Sequence, residues 1–170
     1  MPGYELIDSK EKKALSQIFD QGSIFFAHGF DKIRKKYHVR EFEKLCQIHF
    51  KSKYCLLVSS GTAAIKIGLK ALNVKRGDHV LTQSFNFIAT VEAILDLGAI
   101  PKIITIDDSL NMCPKDLKKN ITKKTKAVIP VHMLGFSANL EAIKKYAKKR
   151  KYLFLKIIVR QLEDPIRINF

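Results

Sequence analysis

Cysteine is scarce in this chain and its count is odd. Three occur in 170 residues, Cys46, Cys55 and Cys113, and none forms a Cys-x-x-Cys pair. That pattern argues against a disulfide framework and against a structural zinc site. Three partly buried thiols are expected instead. No apolar run approaches the roughly 20 residues that span a bilayer, so no membrane association is expected. The opening residues, Met1 to Asp8, have no basic stretch followed by an apolar one. A secretory signal is excluded on that ground, and a cytoplasmic protein is the expectation. Acidic residues are also short, with 16 Asp and Glu against 31 Lys and Arg, a formal net charge of +15. A positive field favours anionic ligands. Nucleic acid is not the expected partner, because no zinc-finger spacing, RNP-type strand or clear helix-turn-helix accompanies the charge. The basic residues are spread instead, with Lys118, Lys119, Lys123, Lys124 and Lys126 near one turn. Another set, Lys144, Lys145, Lys148, Lys149, Arg150 and Lys151, lies along one helix, as on a solvated face.

Apolar residues make up 46% of the chain and charged ones 28%, the composition of a folded domain or a piece of one. Asp8-Ser9-Lys10-Glu11 has the form of a capping box. Ala14, Leu15, Ile18 and Phe19 then mark one face of a helix for burial, and Gly22 is a plausible stop. Residues 23–36 read as an irregular connection. A second amphipathic helix carries Val39, Phe42, Leu45, Cys46 and His49 on one stripe. From residue 54 short apolar runs alternate with helical periodicity. The runs are Tyr54–Val58, His79–Thr82, Lys102–Ile106, Ala127–Val131 and Leu153–Val159. The helical stretches begin with the one carrying Ile65, Leu69 and Leu72. They continue with 87–97, with Ile88, Val91, Ile94 and Leu95 inward, then 114–120 behind Pro114, and 140–150 capped by Asn139. Five alternations predict an α/β fold with a mostly parallel sheet flanked by helices.

The sharpest local signal is Val58-Ser59-Ser60-Gly61-Thr62-Ala63-Ala64. An apolar run ends in Ser-Ser-Gly-Thr and a helix begins at once. The first turn of a helix has backbone N–H groups without intrahelical partners and a partial positive charge, so it attracts phosphate. Gly61 permits close approach, and the hydroxyls of Ser60 and Thr62 add hydrogen-bonding capacity. A simple N-cap accounts for the same residues. The motif is neither a Walker loop nor Gly-x-Gly-x-x-Gly.

The motifs gain meaning in order. After Ser59–Ala64 come Arg76-Gly77-Asp78-His79-Val80-Leu81, Ser84-Phe85-Asn86-Phe87-Ile88-Ala89-Thr90 and Leu97-Gly98-Ala99-Ile100-Pro101. Then follow Ile106-Asp107, Ile121 to Ala127, and Val128-Ile129-Pro130-Val131-His132-Met133-Leu134-Gly135. From about residue 5 to 150 this succession resembles the DegT/DnrJ/EryC1/StrS aminotransferases. The resemblance implies the large domain of a fold-type-I enzyme using pyridoxal 5'-phosphate (PLP), normally a homodimer with its active site at the subunit interface. It implies transfer of an amino group, usually from glutamate, to a keto sugar or a nucleotide-linked keto sugar. It places the cofactor phosphate on Ser60, Gly61 and Thr62, and Phe87 over the pyridine ring. A flat apolar ring there would stack and exclude water. Without the family pattern, Phe87 reads as a core residue at a helix start. His132, followed by Gly135, sits where the family has His-x-x-Gly near the active site. A strand-end histidine bonded to backbone is an equal reading.

Two stretches depart from the family. The connection through Ile24-Phe25-Phe26-Ala27-His28-Gly29-Phe30 is longer than the usual Gly-Pro linker. The expected Glu-Asp-x-x-Gln/His motif is absent from the strand after the 140–150 helix, and Glu163-Asp164 lies several residues beyond it. No lysine matches the Schiff-base position, so no catalytic residue is expected in this chain. The expected organisation is an N-terminal helical segment over 1–50, a partial PLP-binding α/β domain over 51–159 and an unrelated tail over 160–170. Truncation or a frameshift after about residue 150 would account for the loss of resemblance, and the chain alone is expected to be inactive. The alternatives are a basic, non-catalytic α/β module for nucleic acid or a phosphorylated ligand, or a non-catalytic partner of a full-length paralogue.

Overall fold

The computed structural model describes residues 7–20, 37–148, 153–154 and 157–158. Gly22, the connection over 23–36, the end of the basic run at 149–151 and Glu163-Asp164 lie outside them. The chain forms two compact units, Met1–Leu57 and Val58–Phe170.

Among the described residues the first unit holds two helices, α1 (Ser9–Asp20) and α2 (His38–His49). α1 starts on the expected capping box. The Asp8 N–H donates to the Glu11 carboxylate at 2.7 Å, and the Lys10 N–H donates to Asp8 Oδ1 at 2.7 Å. These bonds satisfy donors that the first helical turn leaves open. The expected burial of its apolar face is not realised. Leu15 and Phe19 are 55% and 59% exposed, and no residue of α1 is buried. Amphipathic spacing says which face needs a cover and says nothing of what covers it. In α2 the buried residue is Glu43, whereas Leu45 and His49 of the expected stripe are exposed. The reason is a polar contact: the Leu57 N–H donates to Glu43 Oε1 at 2.8 Å. The run Tyr54–Val58 is not a strand. Tyr54 and Leu56 are exposed, and no ladder partner for the run is found among the described residues.

The second unit is built on α3 (Gly61–Ala71), β1 (His79–Gln83), α4 (Ala89–Asp96), β2 (Ile100–Ile104), α5 (Pro114–Asn120) and β3 (Thr125–Ile129). It continues with β4 (Val131–His132), α6 (Leu140–Lys148), β5 (Leu153–Phe154) and β6 (Ile157–Ile158). β2, β1, β3 and β5 form a parallel sheet in that order, and β4 pairs with β6, also in parallel. Successive residues of β1 and β3 face opposite sides, so each strand feeds two cores. Val80, Ala127 and Ile129 pack with Leu69 of α3 and Ile94 of α4. Leu81, Val128 and Ile104 pack with Leu117 of α5 and Ile143 of α6. Helices therefore cover both faces, as the alternation of elements predicted.

Details differ from the sequence expectation. β2 begins at Ile100, two residues early, and includes Pro101, which is tolerated because β2 lies at the sheet edge. The fourth strand breaks at Pro130, which has no N–H to donate to a ladder. In α4 the buried residues are Ala89, Thr90, Ala93 and Ile94, while Ile88 and Leu95 are exposed. The face of α4 that meets the core carries Ala89, Ala93 and Ile94, with Ile94 packed among Val80 and Ile129. α3 also packs against α4, with Lys66 paired to Asp96.

Candidate functional site

Chain direction brings the two motif segments to one edge of the sheet. α4 leaves the C-terminal end of β1 and returns through Gly98 to the start of β2. α3 ends where residues 72–78 lead into the start of β1, so α3 also begins at the C-terminal edge. Ligands of open α/β sheets bind at that edge.

The start of α3 has the geometry of an anion cradle. Ser60 is extended, and its Oγ accepts from the Ala63 N–H at 3.1 Å, while its carbonyl accepts from the Ala64 N–H at 3.0 Å. Ser60 thus caps the helix, as the plainer reading held. The cap still leaves the N–H groups of Gly61 and Thr62 without an intrahelical partner. Both residues are exposed, the first turn carries no acidic side chain, and a Cβ built on Gly61 meets nothing within 4 Å. Space, donors and the positive end of the helix dipole therefore coincide. The exposed Thr62 hydroxyl adds a further polar group. These features fit a dianionic phosphate.

Phe87 lies just before α4 and is 73% exposed. It is not a core residue in this chain. Its carbonyl accepts from the Thr90 N–H at 3.1 Å, which fixes its backbone at the helix start.

The loop carrying Phe87 is held by polar side chains to which the sequence reading gave no role. Thr82, fully buried, donates its hydroxyl to the Ile129 carbonyl at 3.2 Å and accepts from Asn86 Nδ2 at 3.1 Å. Asn86 Oδ1 in turn accepts from the Thr90 hydroxyl at 3.3 Å. Gln83 bridges the same region, donating to the Phe85 carbonyl at 3.0 Å and accepting from the Val131 N–H at 3.1 Å. Asn111 accepts from the Met133 N–H at 3.1 Å. Buried polar groups satisfied in this way fix one loop arrangement. The available sequence signal was Thr82-Gln83, two polar residues ending an otherwise apolar run. His132 is buried and its Nδ1 accepts from the Ala138 N–H at 2.9 Å, while Gly135 takes φ +86° in the turn that follows. The described residues contain no group of three metal-ligating side chains and no helix long and apolar enough to cross a membrane.

Comparison with known proteins bears on the family and the fold. GDP-perosamine synthase of Vibrio cholerae is 33% identical over 146 residues, which are 85% of this chain and 38% of that protein. The X-ray structure of an aminotransferase from Psychrobacter cryohalolentis superposes with a TM-score of 0.79 at 25% identity, covering 88% of this chain and 36% of the other. GDP-4-keto-6-deoxy-D-mannose-3-dehydratase of E. coli, with bound hydrated PLP, gives 0.75 at 29% identity, over 88% and 38%. The chain thus spans less than two fifths of the length of these proteins. Its sheet and helices are part of the fold-type-I large domain of PLP-dependent aminotransferases. The family model for the DegT/DnrJ/EryC1/StrS aminotransferases matches residues 14–156, and the chain belongs to that family.

Proposed function

We propose that this chain supplies the phosphate cradle and ring cover of a PLP site in a sugar aminotransferase. The amino group would pass, by way of the cofactor, from glutamate to a keto sugar or nucleotide-linked keto sugar. The observation that carries the proposal is the open, donor-rich start of α3 on the same sheet edge as exposed Phe87.

PLP supplies an electron sink, which the chemistry of amino-group transfer requires. The protein residues do the holding. The N–H groups of Gly61 and Thr62, with the hydroxyls of Ser60 and Thr62, receive the phosphate. Phe87 covers one face of the pyridine ring and keeps water from it. The Thr82–Asn86–Thr90 chain of hydrogen bonds sets where the Phe87 loop sits. Neither Val58–Ala64 nor Ser84–Thr90 contains a lysine. We therefore assign these residues to binding and orientation, and expect no transamination from the 170 residues alone. The second subunit of a homodimer is proposed to cover Phe85, Ile88, Leu134 and Phe136, an exposed apolar set.

Titration with PLP followed by inorganic phosphate tests the reading. The expected result is displacement of PLP by phosphate and weaker retention in Thr62→Val. Retention indifferent to phosphate and to Thr62 would sink it. Borohydride trapping should give scattered lysine adducts; one dominant site would overturn the assignment of binding without covalent anchoring.

A further inference from the structure

The odd cysteine count argued against a disulfide framework, yet the fold of the first unit sets two of the three thiols side by side. Glu43 and Cys46 are one turn apart on α2. Leu57 and Cys55 are two residues apart in the segment that follows α2. The bond from the Leu57 N–H to Glu43 Oε1 at 2.8 Å holds that segment against α2. Held there, the Cys55 thiol lies within interacting reach of both Cys46 and Glu43. Both side chains are partly exposed, so a small reagent can reach them. Cys113, the third, lies in the other unit.

We propose that Cys46 and Cys55 are an oxidative modification site, closed to an intramolecular disulfide by a low-molecular-weight disulfide such as oxidised glutathione. One protein thiolate attacks a sulfur of the glutathione disulfide. A mixed disulfide forms and one glutathione thiolate leaves. The second protein thiolate then attacks the protein sulfur of that mixed disulfide and expels the other glutathione. Two protein thiols are oxidised by two electrons, one glutathione disulfide is reduced to two glutathiones, and the two thiol protons pass to the departing thiolates. Burial, the nearby Cys46 and Glu43 raise the Cys55 pKa above its ordinary value, so this thiol rests protonated at neutral pH. Closure joins α2 to the segment that runs directly into the Ser59–Thr62 motif in sequence. The site is independent of the cofactor proposal.

The test is timed oxidation of the whole reduced chain by oxidised glutathione, with alkylation of remaining thiols and peptide mapping. The expected product is one Cys46–Cys55 disulfide, with Cys113 alone left alkylatable. Because the two cysteines are near in sequence, the same reaction is timed in urea. Native closure should be at least about tenfold faster, since the fold holds the thiols together. Cys113→Ser should leave the product and rate unchanged, and Glu43→Gln, which weakens the bond that holds the segment, should slow native closure. Equal rates in native buffer and urea, a Cys113-containing disulfide, or stable glutathione adducts on both thiols would each overturn the proposal.

Discussion

Asn86 Nδ2 donates to the hydroxyl oxygen of Thr82 at 3.1 Å, and through that bond the loop bearing Phe87 is tied to the end of β1. The Thr82 hydroxyl donates its own hydrogen bond to the Ile129 carbonyl, so one buried oxygen links β1, β3 and the loop. Thr82→Val keeps the branched shape and removes that oxygen. It leaves Asn86 and the Ile129 carbonyl each short of a partner, at a cost of about 1–3 kcal/mol. Urea unfolding should show the midpoint falling by that free energy divided by the slope, with the slope unchanged. A midpoint within error of the parent would show that the network contributes no stability.

Asn86→Ala removes the link to the loop at an edge-facing position. Its main expected effect is on the cofactor. Binding of pyridoxamine 5'-phosphate should weaken by about fivefold, the equivalent of ~1 kcal/mol, as read by equilibrium dialysis. Unchanged affinity would mean that Phe87 needs no positioning by Asn86.

Gly98 tests the turn between α4 and β2. Its φ is +69°, and a Cβ there would lie 3.1 Å from Arg76 Cγ and 3.2 Å from Arg76 Cβ. Gly98→Ala should lose about 1–2 kcal/mol from the left-handed backbone alone. The crowding atoms are the near end of the Arg76 side chain, with its Cα at 3.5 Å, so relieving the contact requires Arg76 to shift and adds to that loss. A thermal midpoint equal to the parent's would show that the turn relaxes freely.

His79, at the start of β1, gives a pH dependence. Burial lowers its pKa below the ordinary 6.5, and the positive charges of Lys102 and Lys124 lower it further, against a smaller opposing effect of Asp78. The unfolded chain therefore binds the proton first as pH falls. Stability from this group is complete above pH 6.5 and is lost as pH drops below it towards the folded value. The urea midpoint of the parent should fall from pH 7.5 to pH 5.5 by more than that of His79→Gln. Parallel pH profiles would contradict the assignment.

Local chemistry was the legible part of the sequence. The Asp8–Glu11 capping box, α5 behind Pro114 and the Asn139 cap of α6 were all readable, because each depends on residues within one turn. The Asn139 cap is seen as a 3.0 Å bond from the Ala142 N–H to Asn139 Oδ1. The layers were legible too, since Val80 and Leu81 must face opposite sides of a strand. What failed depended on a distant partner. Tyr54–Val58 has the composition of a buried strand, but strand formation needs a neighbour to receive its hydrogen bonds. Ile88 and Leu95 carry apolar weight in α4, yet the face that meets the core is the one with Ala89, Ala93 and Ile94. At the candidate site the Ser60–Thr62 turn was visible as a motif, whereas Thr82, Gln83 and Asn111 were silent because each also bonds a partner 22 to 48 residues away in sequence.

The most direct measurement compares pyridoxamine 5'-phosphate with pyridoxamine in equilibrium dialysis, on the parent chain and on Gly61→Asp. Neither ligand carries an aldehyde, so the surface lysines do not trap it. The phosphorylated form should bind at least about tenfold tighter to the parent, equivalent to ~1.4 kcal/mol, and Gly61→Asp should erase that preference by placing a carboxylate in the cradle. Equal binding of the two ligands by the parent, or a preference that survives Gly61→Asp, would contradict a phosphate site at the start of α3.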